Sequence, residues 1–409
     1  MARDDSRTLT PELRFPEFRE PWKAVPLSDL AESISERVGT EPCVPYTVTS
    51  GVGLISQDEK LGRTIAGKSL KNYIRLKKHD FAYNKSATKA FPEGYIARYL
   101  DDANAAVPNS IFTCFRADTQ KINPAYLGFL FAGNLHGRWL RKFLTIGARA
   151  HGSLNVSDDD LMALPVPMPT GAKSSVEQRK IAECLTSLDE LIAAQGRKTD
   201  ALKAHKKGLM QHLFPREGEI IPRVRFPEFR NDGRSVFRLI GDLAKVTTGG
   251  KDTQNKVDSG KYPFFVRSQN VERIDSFSYD GEAVLTSGDG VGVGENYHYI
   301  NSRFDFHQRV YCIYDFNENT NGQFFFQYFS LRFKKRVKEL SAKNSVDSVR
   351  MSMITEMPIW QPSIAEQQRI ADCLSTLDTK IAAEVDKHAS LKTHMQGLMQ
   401  QLFPSPEGE

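Results

Sequence analysis

Residues 62–69 read Gly-Arg-Thr-Ile-Ala-Gly-Lys-Ser. That spacing is the G-x-x-x-x-G-K-S of a phosphate loop, in which backbone N–H groups cradle phosphates, the lysine reaches the terminal phosphates and the serine hydroxyl meets magnesium. The chemistry needs a buried apolar strand before the loop and a helix after it, so that the helix N-terminus faces the anion. Gln57, Asp58, Glu59, Lys60 and Leu61 precede this loop and are too polar for a buried parallel strand. Residues 73–76 alternate as a short half-exposed strand. No clear run of four apolar residues ending in Asp supplies a metal carboxylate. An NTPase built on Gly62, Gly67, Lys68 and Ser69 is therefore the minor alternative, and the segment reads as a basic, Gly-containing loop.

Other residues have the types that read base edges. Arg, Lys, Asn and Gln make bidentate contacts in the major groove. The first half of the chain offers Lys68, Lys71, Asn72 and Tyr73, then Asn84, Lys85 and Ser86, then Arg149, His151 and Asn155. The second half offers Arg267, Gln269 and Asn270; Arg303, His307, Gln308 and Arg309; and Lys343, Asn344 and Arg350. Turn chemistry accounts for any one of them alone; their grouping into basic, Gly-bearing phrases points to DNA. The "GVGVG" at 290–294 lacks the βαβ context and distant acid of a dinucleotide site. No catalytic constellation is evident. The five cysteines form no C-x-x-C and the nine histidines no H-E-x-x-H, so no metal site is expected.

At 409 residues the chain exceeds one ordinary core and implies two or more domains. It is 40% apolar and 26% charged, with a net charge of +5 and a pI near 8.8, compatible with a polyanionic partner. No signal peptide or membrane span is expected. The odd, sparse cysteines suit reduced thiols in the cytoplasm; Cys184 and Cys373 read as small buried thiols.

The frame that must carry these residues is written twice. Residues 176–215 align without a gap to 365–404, with 22 identities in 40 positions at an offset of 189. "RFPEFR" occurs at 14–19 and again at 225–230. The regions between, roughly 20–170 and 231–362, differ from each other. Both are rich in aromatic and β-branched residues, favouring mixed α/β domains with an irregular sheet. Short helices are expected at 123–144 and 321–340, with basic faces (Arg138, Arg141, Lys142; Arg332, Lys334, Lys335, Arg336, Lys338) suited to a phosphate backbone.

The long repeats are helical. Ile181, Leu185, Leu188, Ile192, Leu202 and Leu209 in one copy, and Ile370, Leu374, Leu377, Ile381, Leu391 and Leu398 in the other, keep steps of three and four that make a heptad seam. Ser174 or Ser175 and Ser363 are candidate caps, with Glu177 and Glu366 placed as in a capping box. Pro215 and Pro404 end the helices. Each would span roughly 60 Å, and the two would pack as an antiparallel pair. Matched polar residues, His205/His394 and Gln211/Gln400, suggest one repeated partner per half.

In "EQRKIAECLTSLDELIAA", "EQQRIADCLSTLDTKIAA", "LKAHKKGLMQHLFP" and "LKTHMQGLMQQLFP", and in its two-variable, two-repeat layout, the chain resembles the specificity subunits of type I restriction–modification enzymes over nearly its whole length. "DFAYNKS" and "GSLNVSDDDLMALPVPMP" resemble phrases of that family's target-recognition domains. The resemblance implies an α/β (α+β) fold with pseudo-twofold symmetry: a first target-recognition domain at 1–170, a helical spacer at 171–215, a second recognition domain at 216–362, a second spacer at 363–404 and a tail at 405–409. It implies that each domain reads half of a split double-stranded DNA target while the coiled coil sets the gap. Two DNA-methyltransferase subunits would bring S-adenosylmethionine, and two motor-nuclease subunits ATP and magnesium. This chain would hold no cofactor and no catalytic centre. A stand-alone DNA-binding or scaffold protein is the other alternative.

Overall fold

The computed structural model describes residues 9–144, 154–233, 235–290, 292–344 and 348–404, with the backbone alone at 342–344. The chain divides into two units, Met1–Gln195 with Lys387–Glu409, and Gly196–Asp386. Each unit holds part of both long helices, Ser174–Leu213 and Ile364–Leu402.

The first unit carries two four-stranded sheets. One runs in the order Ala31–Ser33, Phe112–Ala117, Phe81–Asn84, Tyr95–Arg98, all antiparallel. The other runs Gly53–Ser56, Val44–Thr49, Ala105–Val107, Ile74–Leu76, with one parallel pairing in its middle. Phe81 and Phe115 stack across neighbouring strands, and Phe131 meets both edge-on. The expected helix at 123–144 is broken into Pro124–Ala132 and Leu135–Leu140 by Asn134, which adopts the left-handed conformation that Asn tolerates.

The second unit carries one six-stranded sheet: Lys245–Thr248, Val310–Tyr314, Tyr279–Ser287, Tyr297–Phe306, Tyr262–Phe265, Glu272–Ile274. Its helix Gly322–Asn344 buries an aromatic stripe at intervals of four, Phe325, Phe329 and Phe333, stacked ring on ring.

The two "RFPEF" copies and the two long helices lock together in the same way. Arg14 forks onto Glu177 (Nε–Oε1 2.7 Å, Nη2–Oε2 2.8 Å), and Arg225 onto Glu366 (2.7 and 2.6 Å). Both glutamates are fully buried. Lys180 lies over the Phe15 ring and pairs with Glu17; Arg369 lies over Phe226 and pairs with Glu228. The next residue of each helix, Gln178 or Gln367, accepts the backbone N–H of Asn123 or Asn321, the residue before each domain's own helix. The capping-box expectation is corrected accordingly. Ser363 Oγ does accept the Glu366 N–H at 3.4 Å, but both glutamate side chains are committed to arginines.

The helices pack antiparallel within each unit. In the first, Ile181, Leu185 and Ile192 share a core with Met395 and Leu402, and Leu188, Leu391 and Leu398 pack against it. In the second, Met210, Leu213 and Phe214 share a core with Ile370 and Leu374, and Leu209 packs against it. Leu202, Leu377 and Ile381 are only half-buried, because the middle of the seam is polar. The heptad steps run on from Ile192 through buried Gln195 and Thr199. Lys206 forks onto Asp378 at 2.6 and 2.7 Å, with Gln327 donating to the same carboxylate, and Lys198 pairs with Glu384. Polar seam positions fix register at some cost in stability. Cys184 is exposed and Cys373 half-buried, against the expectation of buried thiols: both lie off the heptad seam, one step before Leu185 and Leu374.

Two predictions follow from this packing. Glu366→Ala leaves Arg225 without its counter-charge, a loss of about 3–5 kcal/mol for a buried pair. Chemical denaturation of the intact chain should show it, and Arg225→Met with Glu366→Leu should recover most of it. His136 is buried, with Nε2 3.3 Å from the Gly94 carbonyl and no partner for Nδ1 among the described residues. Burial pushes its pKa from 6.5 down to about 4. The unfolded chain therefore binds this proton first, so the contribution is complete above about pH 6.5 and is lost as pH falls toward 4, about 3 kcal/mol in all. Denaturation midpoints measured from pH 7 to 4.5 should fall, and His136→Leu should flatten that slope.

Candidate nucleic-acid interface

In the second unit, four separate phrases of the sequence meet around Asp289. Arg267 follows the strand Tyr262–Phe265, Asp289 follows Tyr279–Ser287, and Arg309 lies in the turn between Tyr297–Phe306 and Val310–Tyr314. Arg267 Nη1 donates to Asp289 Oδ1 at 2.9 Å, and Arg309 Nη1 donates to Oδ2. The fourth phrase is pinned alongside: Val349 N–H donates to the Gly288 carbonyl at 2.7 Å, and Ser348 bridges Asp289. Exposed Arg350 comes next.

The arginine side chains are 43% and 61% exposed, and Asp289 only 17%. Burial alone would raise the Asp289 pKa, but the hydrogen bonds from Arg309 and Arg267 overcome it and hold the group below the usual carboxylate range. The cluster thus carries two positive charges and one negative at neutral pH.

The remaining expected residues of this half divide. Gln269 and Asn270 are exposed beside Arg267, in a turn closed by Ser268 Oγ donating to the Asn270 carbonyl. Gln308 Nε2 donates to Asp252 at 2.9 Å, and its backbone N–H to Lys251. His307, expected as a reader, is buried. Its Nδ1 accepts the Arg309 N–H at 2.9 Å and burial lowers its pKa, so it shapes the turn and does not face solvent. Arg303 belongs to another patch: it pairs with Asp280 at 2.8 Å and lies over Phe277. Lys343 and Asn344 close the helix Gly322–Asn344, and their side chains lie outside the described residues.

In the first unit the "YNKS" and "SLN" phrases meet. Asn84 Oδ1 accepts the Ser86 N–H in a tight turn, the Lys85 carbonyl accepts Leu154 N–H at 2.7 Å, and Lys85 Nζ pairs with Asp158, which also accepts from Thr113. Exposed Asn155 sits beside this turn. Arg149 and His151 lie outside the described residues.

Lys68, Lys71 and Asn72 are exposed on the 3-10 turn Gly67–Asn72, and half-buried Tyr73 follows it. The turn is tied to residues 37–39 by Arg37 donating to the Asn72 carbonyl and Gly39 N–H to Lys71. A helix, Gln57–Leu61, precedes the Gly62 loop, and a 3-10 turn and a strand follow it. That is not the strand–loop–helix a phosphate loop requires. No cluster of metal-binding side chains occurs among the described residues, and no described helix is long and apolar enough to cross a membrane.

The basic helix faces are less available than the sequence suggests. Arg332 donates to the Pro215 carbonyl, Arg336 to those of Met353 and Glu356, and Lys334 and Lys335 pair with Glu295 and Glu217. Arg141 pairs with buried Glu93. These cations already have partners within their own units. Sequence reasoning did not single out two residues of this cluster, Asp289 and Asn296, whose Nδ2 donates to the Arg267 carbonyl and to Ser287; they stand on either side of the "GVGVG" at 290–294.

Lys68→Ala should change no ATPase rate, because the purified chain is expected to turn over no ATP; a phosphate-release assay on both proteins checks this.

Residues 234–393 match the family model described as the type I restriction modification DNA specificity domain. The type I restriction enzyme EcoDI specificity subunit of Escherichia coli is 32% identical over 139 residues, 34% of this chain and 30% of that protein. The matched stretch thus spans less than a third of that curated relative. Among solved structures, the S subunit of a type I restriction–modification system from M. genitalium superposes with a TM-score of 0.63 at 15% identity, covering 97% of this chain and 99% of its own. A chain from a structure of complex assembly and conformational transition in the type I R-M system gives 0.53 at 15%, covering 95% and 100%. At such identities the likeness is one of fold.

Proposed function

We propose that this chain is a specificity subunit of the type I restriction–modification kind, as the match of residues 234–393 supports, that it reads a split double-stranded DNA target and that it is not itself a catalyst. One observation carries this reading: Arg267, Asp289, Arg309 and the 348–350 segment, from four separate phrases, converge on one exposed surface inside the matched specificity domain. The sequence regions 1–170 and 216–362 are the two readers, each recognising one half-site. The helical regions 171–215 and 363–404 are the spacer. Exposed arginines and lysines set a salt-dependent affinity through phosphates, and base-edge contacts set the sequence. Two modest readers on a stiff spacer multiply each other's affinity.

Catalysis enters through partners. Two DNA-methyltransferase subunits, carrying S-adenosylmethionine, dock one per half, where matched His205/His394 and Gln211/Gln400 are exposed. They flip an adenine from the stack and methylate N6. Two motor-nuclease subunits bring ATP and magnesium in the restricting assembly, which works in the cytoplasm.

Sequencing of N6-methyladenine in cells with and without the chain tests this. One split motif with a fixed gap should lose methylation on deletion; DNA binding with no motif lost would instead support a stand-alone binder. Inserting one heptad into the long helix Ser174–Leu213 adds about 10 Å. It should widen the gap by about three base pairs and leave both half-sites unchanged; an unchanged gap would exclude the spacer role.

A further inference from the structure

We infer that the half-site read by the second unit contains a G·C pair whose guanine is held by Arg267 or Arg309, with Asp289 as the residue that positions both. This rests on the DNA-reading function proposed above and specifies its chemistry.

Each guanidinium commits only Nη1 to Asp289. No described group takes the Nε or Nη2 protons of either arginine. The edge left over presents two parallel N–H donors at a fixed spacing. Guanine offers two acceptors, O6 and N7, on its major-groove edge at the matching spacing, whereas adenine places an N6–H₂ donor where the second acceptor would be.

The backbone of each arginine is also fixed. The Arg267 carbonyl is held by Asn296 at 3.2 Å. Arg309 is held at both ends, its carbonyl by Gly288 N–H at 2.8 Å and its N–H by His307 Nδ1. Asp289 is set between them by the Ser348 bridge. Arginine otherwise gives up much of its rotamer freedom on binding, and here the fork is oriented in advance.

The carboxylate separates base reading from phosphate binding. A phosphate site gathers cations; an ionised Asp289 at its centre would repel the anion. A neutral base edge suffers no such repulsion, and both carboxylate oxygens are already occupied by the arginines. The arrangement therefore favours base over backbone, and guanine over adenine.

The test uses the full chain with its own methyltransferase in cells, sequencing N6-methyladenine for wild type, Arg267→Lys, Arg309→Lys and Asp289→Asn. Lysine keeps the charge and removes the fork. A lysine variant is expected to relax base identity at one G·C position of one half-site, with methylation of correct sites down about 5- to 150-fold. The other half-site stays unchanged and serves as the control for folding. Asp289→Asn should relax the same position.

Three results would overturn the inference: relaxation at an A·T position, uniform loss across both halves at every sequence (the signature of phosphate contact), or no change in the motif. If wild type itself yields no split motif, the DNA-reading function falls first and this inference with it. Should the variants methylate nothing, the wild-type complex is assayed on duplexes carrying 7-deazaguanine, which lacks N7, at each guanine of either half-site in turn. One position should lose methylation to a similar degree, and none doing so overturns the proposal.

Discussion

The buried fork between an arginine of "RFPEF" and a glutamate at the start of a long helix is the constraint on which each half of this molecule depends. An isolated buried carboxylate is prohibitively unstable, so Glu177 and Glu366 can enter the core only with Arg14 and Arg225 already aligned. Once the helix start is fixed by that fork, the following glutamine is fixed as well. Gln178 and Gln367 then receive the N–H of the residue from which each domain's own helix departs. One dipeptide, Glu-Gln, thus ties a connecting arm, a long helix and a mixed α/β domain to a common origin. The domains are otherwise free to differ, which is why sheets of quite different order stand on the same base.

The frame was legible in the sequence because repetition marks it. The helices, their ends at Leu213 and Leu402, and most seam residues follow from period and punctuation alone. The roles of the repeated polar residues were not legible. Glu177 and Glu366 have the spacing of a capping box, and only tertiary structure shows that their partners lie 163 and 141 residues earlier in the chain. The polar stretch through Gln195 and Thr199 was invisible for the opposite reason: a search for Ile and Leu passes over a seam that continues in amide and hydroxyl. At the candidate interface, residue type drew attention to Arg267 and Arg309, which the fold brings to one carboxylate, yet it could not tell a buried histidine from an exposed one, as His307 shows, nor separate cations spent on internal carbonyls from cations left exposed. Pairing at a distance carries no local signal.

The interface and the frame use the same chemistry to different ends. In the frame, an arginine–carboxylate fork is buried and closed: both carboxylate oxygens are taken by one arginine, which also donates to a backbone carbonyl, Glu20 for Arg14 and Asp232 for Arg225. At Asp289 one carboxylate is divided between two arginines that remain exposed, so neither guanidinium is satisfied by it alone. The first arrangement gives cohesion and the second leaves capacity for an incoming acceptor. The difference is one of stoichiometry and exposure.

Leu13 N–H donates to the Gln401 carbonyl at 3.0 Å, and Phe403, just past the second long helix, packs edge-on against Tyr126. Phe214, just past the first, packs likewise against Phe324 and Tyr328. The path therefore runs from one unit through a helix to the other unit, and through a second helix back to where it began. Each long helix is thus clasped at its far end by the aromatic residue that follows it, as it is held at its start by the arginine–glutamate fork. A helix pinned at both ends behaves as a strut: it can neither slide along its axis nor turn about it without breaking one of its two anchors.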